Sequence, residues 1–242
     1  MSSTLNVQVC PHDTATNPDR WFRFVQYCAQ KMDCHPHFEI ALDFADFHAN
    51  LDTADVVYAN PSDTLNLMAQ GMTVLVRPIN IHDEVVFLSN LEIAAPTLET
   101  LQGVQIASVE SLQPTKLALH ILKERGIVPA GIMNHESWTA VVSCLWRGEC
   151  QFGLIYKDTY DGLSEQGKGM VRAFHISDER VAFHNILVGH NATDRREGIE
   201  QVLLGMHTDE KGQEVLRDLG VEQWVRPTPE ELAKMRHIME SY

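Results

Sequence analysis

Between Asp55 and Gly71 the chain reads DVVYANPSDTLNLMAQG, with Tyr58, Asn60, Ser62, Asp63 and Thr64 grouped around Pro61. These are hydrogen-bonding residues rather than a nucleophile beside its base. Asn60 and Pro61 lie where the buried strand turns into a helix with a polar start. The helix they begin would offer backbone N–H groups and the positive end of its dipole at the tip of the preceding apolar strand. The chemistry this favours is capture of an anion or polar ligand. Asp63 fits as a cap or as an acceptor for a ligand hydroxyl, because its charge would repel an unprotonated anion.

A second set, Ser111, Gln113, Thr115 and Lys116, surrounds Pro114 in ESLQPTKLALHIL. Backbone amides and an ammonium at such a helix start can hold an oxyanion. His135 stands beside Asn134, which reads as a further helix cap. His12 and Asp13 follow the first strand and point to the same crevice as Ser62 if the sheet is parallel. Tyr58 and Tyr156 are candidates for cleft walls. Plainer roles compete: capping for Ser62, Asp63 and Thr64, a solvated ammonium for Lys116, a turn for His12 and Asp13, and core packing for both tyrosines. The CHPH stretch at 34–37 lacks a standard zinc spacing, so neither metal nor cofactor is expected. No G-x-S-x-G, phosphate-binding loop or dinucleotide fingerprint occurs, and no catalytic residue is assigned.

Alternating strands and helices position these residues. Residues 5–9 alternate as a strand, 11–17 form a polar loop, and Asn17 with Pro18 starts a helix carrying Trp21, Val25, Cys28 and Met32 at helical spacing. Strands are expected at 38–42, 55–58, 73–77 and 84–89, with helices at 43–50 and 61–70, the latter stopped by Gly71. The pattern then repeats: strand 103–109, helix 114–125, a helix through Trp138 to Trp146, and strands at 150–156 and 181–188. Thr228, Pro229, Glu230 and Glu231 spell a capping box. Such alternation implies α/β sheets with ligands at the carboxyl ends of strands.

The chain has 242 residues, 44% of them hydrophobic, enough for one large domain or two small ones. Its net charge of −14 opposes nucleic acid and anionic lipid, so any bound anion must be held by local dipoles. Five cysteines without a framework fit a reducing compartment. No leader and no apolar run of membrane-spanning length is evident, so the sequence as it stands reads as cytoplasmic, or as periplasmic if a signal peptide was removed.

In order along the chain, four stretches resemble the substrate-binding proteins of phosphate, phosphite and phosphonate ABC transporters: DTADVVYANPSDTLNLMAQG, HDEVVFLSNLEIAAPTLETLQGVQIASV, NHESWTAVVSCLWRGECQFGLIYKDTYDGL and DEKGQEVLRDLGVEQWVRPTPEELAKMR. The resemblance implies the type 2 periplasmic-binding-protein fold: two α/β lobes, each a mixed sheet flanked by helices, with a two-stranded hinge. Lobe 1 is expected at 1–79 and 189–242, and lobe 2 at 80–188. A non-enzymatic protein that captures a small oxyanion in an interlobe cleft, for an ABC-transporter permease or a signalling partner, is the function implied. Tyr156 matches a position where some members carry an acid that contacts a ligand amine, which favours a simple oxyanion over an aminoalkylphosphonate. The family's first-lobe aromatic falls near Phe44 or Phe47, neither of which has a hydroxyl. Two rivals are a cytoplasmic enzyme on the same clamp, of the menaquinone- or thiamine-precursor type, and a clamp that serves only as a protein-interaction module.

Overall fold

The computed structural model describes residues 4–15 and 17–242. Thr16, in the expected polar loop, and the first three residues lie outside that description. Contacts divide the chain into two compact units, Met1–Ile81 with Phe183–Leu232, and His82–Ala182 with Ala233–Tyr242.

The first unit begins with β1 (Thr4–Val9), α1 (Pro11–Thr14), α2 (Pro18–Lys31), β2 (His35–Phe38), α3 (Phe44–Ala49), β3 (Val56–Ala59), α4 (Pro61–Ala69) and β4 (Thr73–Pro78). Into the second unit fall β5 (Val85–Ser89), β6 (Gln105–Ser108), α5 (Gln113–Glu124), β7 (Gly131–Asn134), α6 (Trp138–Trp146), β8 (Phe152–Tyr156), α7 (Lys157–Asp161), α8 (Glu165–Lys168) and β9 (Arg172–Ile176). The chain then returns through β10 (Asn185–Val188), α9 (Arg196–Gly205), α10 (Glu210–Leu219), β11 (Trp224–Val225) and α11 (Pro229–Ser241).

The first sheet has the order β11-β4-β10-β3-β1-β2. β1 is parallel to both β2 and β3, whereas β10 runs antiparallel between β3 and β4. Every residue of β3 and β10 is buried, as expected for central strands covered on both faces. Strand alternation sends Val56 and Tyr58 to the layer containing Trp21, Phe24 and Trp224. Val57 and Ala59 go to the opposite layer with Phe47 and Leu67. Trp21, Phe24, Val25 and Cys28 form the buried stripe of α2 at helical spacing.

The second sheet has the order β7-β6-β8-β5-β9. β6 is parallel to β7 and β8, and β5 is antiparallel to β8 and β9. Phe87, Leu88, Ile106 and Leu154 are fully enclosed. Where the chain leaves and re-enters this unit, the Asp83 amide donates to the Ala182 carbonyl at 2.8 Å.

Several boundaries differ from the sequence expectation. β2 occupies His35–Phe38 rather than 38–42, because its parallel register runs from Thr4↔His35 to Val7↔Phe38; Leu42 is 91% exposed. A short helix, α1, replaces most of the polar loop after β1. β7 and β9 escape a periodicity reading because both are edge strands without an enclosed face. The strand expected at 181–188 is limited to Asn185–Val188 and completes the first sheet through β3 and β4. Ser137, not Asn134, caps α6: its side chain accepts from the Ala140 amide, while Asn134 closes β7.

Candidate functional site

In the first unit, β1 and β3 are adjacent and parallel, so the segments after them share one sheet edge. His184 joins that edge because β10 runs the other way, with Asn185 opposite Ala59. His12 is exposed on α1 and meets Phe44 edge-on at 5.1 Å. Tyr58 is only 2% exposed; its ring stacks on His184 at 5.1 Å and lies 4.6 Å from Trp21. It is a core residue beneath the edge rather than an open wall.

Asn60 caps α4, accepting from the Asp63 amide at 2.9 Å. Its side-chain amide also donates to the Asp63 carboxylate at 2.7 Å. His48 reaches the other Asp63 oxygen at 2.9 Å. The first turn of α4 therefore already contains a buried carboxylate, which occupies part of the dipole's capacity for negative charge. Ser62 is half-buried beside it. Thr64 is completely buried, its hydroxyl donating to the Ala59 carbonyl at 3.2 Å and accepting from Asn185 at 3.3 Å. Packing has turned that hydroxyl inward.

In the second unit, β6, β7 and β8 run parallel, bringing the segments after each to one edge. α5 starts at Gln113, which is half-buried. Leu112 occupies its cap position, provides no side-chain hydrogen bond, and the first turn has no acid. The Thr115 and Lys116 amides turn back to the same Leu112 carbonyl, at 3.1 and 3.4 Å. Thr115 itself is enclosed: its hydroxyl lies 2.6 Å from the Ser108 hydroxyl and donates to the Val109 carbonyl at 2.7 Å. The Lys116 ammonium donates to the Met239 carbonyl at 2.7 Å.

His135 follows β7, its amide held by the Ser108 carbonyl at 2.8 Å, while its buried Nε2 has no hydrogen-bond partner. Tyr156 ends β8 and donates its phenol proton to the Asp83 carboxylate at 2.9 Å. Desolvation raises the Asp158 carboxyl above its ordinary range; the Tyr156 hydrogen bond opposes this and the Asp83 charge adds to it. Asp83 thus brings a carboxylate to the Tyr156 end of β8.

Gln113, His135 and Tyr156 thus gather at one edge, and His12, Asn60, Ser62 and Asp63 at the other unit's edge. His48, Asp83 and His184 escaped the sequence reading. His184 sits in VAFHNILV, a run apolar but for His184 and Asn185, and only its antiparallel return beside β3 reveals its place.

No curated protein matches the sequence. The fold is similar to that of a Xanthomonas citri protein bound to chloride ion, at 16% identity and a TM-score of 0.75, covering 100% of both chains. It is also similar to PhnD1 from Prochlorococcus marinus in complex with methylphosphonate, at 14% identity and a TM-score of 0.71, covering 99% of this chain and 98% of that one. A third likeness is to SsuA, the periplasmic aliphatic sulphonate binding protein of Escherichia coli, at 12% identity and a TM-score of 0.73, covering 100% and 92%. These likenesses establish a two-lobed periplasmic-binding-protein fold. Residues 8–232 match the profile described as ABC transporter, phosphonate, periplasmic substrate-binding protein. With that match spanning both sheets, the chain belongs to the family of periplasmic phosphonate-binding proteins of ABC transporters, non-enzymatic solute-binding proteins for small anions.

Proposed function

We propose that this chain captures a small tetrahedral oxyanion of the phosphonate, phosphate or phosphite type. The observation that carries the reading is the start of α5, which has neither a side-chain cap nor an acid. By contrast, α4, α6, α8 and α10 are capped by Asn60, Ser137, Ser164 and Asp209, and the uncapped α1, α2, α7 and α9 carry Asp13, Asp19, Asp158 and Glu197 in their first turns. Pro114 has no N–H and the Thr115 and Lys116 amides turn back to Leu112, so an oxyanion at α5 takes the Gln113 amide and the positive end of the dipole, with the Gln113 and His135 side chains as further donors at the same edge. A helix terminus contributes about 0.3–1 kcal/mol, up to ~2 in partly buried geometry. Micromolar affinity requires about 8 kcal/mol, so several charge-assisted hydrogen bonds must act together.

The ligand-bound form would be read by an ABC-transporter permease or a signalling protein, and the family's description supports the periplasm as its compartment. No helix among the described residues is long and apolar enough to cross a membrane.

Calorimetric titration with phosphate, phosphite, methylphosphonate, sulfate and an alkyl sulfonate tests the ligand class, with aminoethylphosphonate included because Asp83 lies at the Tyr156 end of β8. A saturable 1:1 isotherm with at least one tetrahedral oxyanion is expected. Absence of both heat and a rise in melting temperature with all of them would overturn the reading.

A further inference from the structure

Three groups of different chemistry meet at the first unit's strand edge: the Cys10 thiol, the Asp13 carboxylate and the His184 imidazole. Their potential ligand atoms all lie within 4.8 Å of one another. They come from separate places in the chain, Cys10 at the end of β1, Asp13 on α1 and His184 just before β10, so no local sequence pattern announces them. We propose that Cys10, Asp13 and His184 form a binding site for a borderline-soft divalent cation, Zn²⁺ above all.

The distances fit that chemistry. Two ligand atoms each about 2.0–2.1 Å from a tetrahedral zinc stand roughly 3.3–3.4 Å apart, and Asp13 Oδ2 lies 3.3 Å from His184 Nε2. Asp13 Oδ2 is shielded from solvent and accepts no hydrogen bond of good geometry; beside a neutral His184 a cation supplies the positive partner that this buried oxygen needs. Thiolate, imidazole and carboxylate together suit zinc better than magnesium or calcium, which prefer oxygen alone.

The surroundings fix these ligands as an outer shell does. The Asn60 side-chain amide donates to Cys10 Sγ at 3.8 Å. Tyr58 stacks on the His184 ring with planes 19° apart. The Asp13 carbonyl accepts from Arg20 at 2.8 Å and from the Trp21 indole at 3.0 Å, anchoring α1. Cys10 and His184 are buried, while the Asp13 side chain retains 21% exposure and gives the ion a way in. Three protein ligands leave a fourth tetrahedral position for water or another donor. An occupied site would also lessen the negative charge of an edge that otherwise presents the Asp13 and Asp63 carboxylates.

The test is titration of metal-free protein with Zn²⁺ by calorimetry and with Co²⁺ by absorption, where a thiolate-to-cobalt charge-transfer band reports sulfur ligation. One equivalent of Zn²⁺ and a cobalt–thiolate band are expected. Removing an outer partner commonly costs about 10–100-fold in metal affinity, so Cys10→Ser and Asp13→Asn should each weaken Zn²⁺ at least tenfold. Cys10→Ser should also abolish the band. Cys34→Ser should keep both signals, which separates this site from the exposed His35 and His37 beside Cys34. If Cys10→Ser fails to fold, Asp13→Asn decides, since Asp13 is not in the core and the amide keeps the side-chain shape. No stoichiometric uptake, unchanged affinity in folded Asp13→Asn, or loss of the band in Cys34→Ser overturns the proposal. No anion enters the assay, so its failure leaves the oxyanion reading standing.

Discussion

The Lys116 ammonium, suited to an anion by type and by its place in the first turn of α5, is spent on the Met239 carbonyl. Thr115 and Thr64 have likewise turned their hydroxyls to buried oxygen partners. Residue type identified these positions as polar helix starts; it could not say which way each side chain points, because that depends on partners far away in sequence. Lys116→Met should therefore act mainly on the C-terminal helix. Amide exchange across residues 233–242 should accelerate, with about 1 kcal/mol lost locally, while oxyanion affinity changes less than about threefold. Unchanged exchange together with a tenfold loss of affinity would return Lys116 to the ligand.

At the scale of elements, local signals were read most accurately where they were self-contained. Thr228 and Glu231 make the capping box spelled by the sequence: the Thr228 amide donates to Glu231 at 2.7 Å and the Glu231 amide to the Thr228 hydroxyl at 3.2 Å. Asp43 and Asn60 also cap the helices they were expected to start. The edge strands β7 and β9 and the antiparallel place of β10 between β3 and β4 are not legible in the sequence, since strand pairing is set by contacts distant along the chain. The second unit's candidate edge depends on β7 and was correspondingly incomplete.

Glu231 also pairs with Arg77 of β4, fastening the start of α11 to the first sheet. Burial pushes the Glu231 carboxyl up, but the Thr228 and Arg77 hydrogen bonds prevail and hold it below its ordinary range. A carboxyl so lowered stabilises the fold above the unfolded value of about 4.3, and that contribution disappears as pH falls through the folded value. Glu231→Gln should cost about 1–2 kcal/mol near neutrality. Melting curves of the wild type and variant should converge as pH drops from about 6 towards 3. A gap that persists or widens in acid would refute this assignment.

Over the whole molecule, a net charge of −14 sets a repulsive background for the expected ligand. Short-range donors can hold an anion against it, but encounter must take place through the field. Raising ionic strength from about 0.01 to 0.15 M should therefore raise the stopped-flow association rate of a divalent oxyanion, as screening weakens the repulsion. A rate that falls with salt would point to a local positive funnel instead.

The central claim is that an oxyanion occupies the uncapped start of α5. Leu112→Asp would supply the missing cap and a competing negative charge together, at a half-buried position. Methylphosphonate titrated by calorimetry into the wild type and into Leu112→Asp should give a saturable 1:1 isotherm in the first and at least tenfold weaker binding in the second, with both proteins folded. Equal affinity in the two would contradict the account.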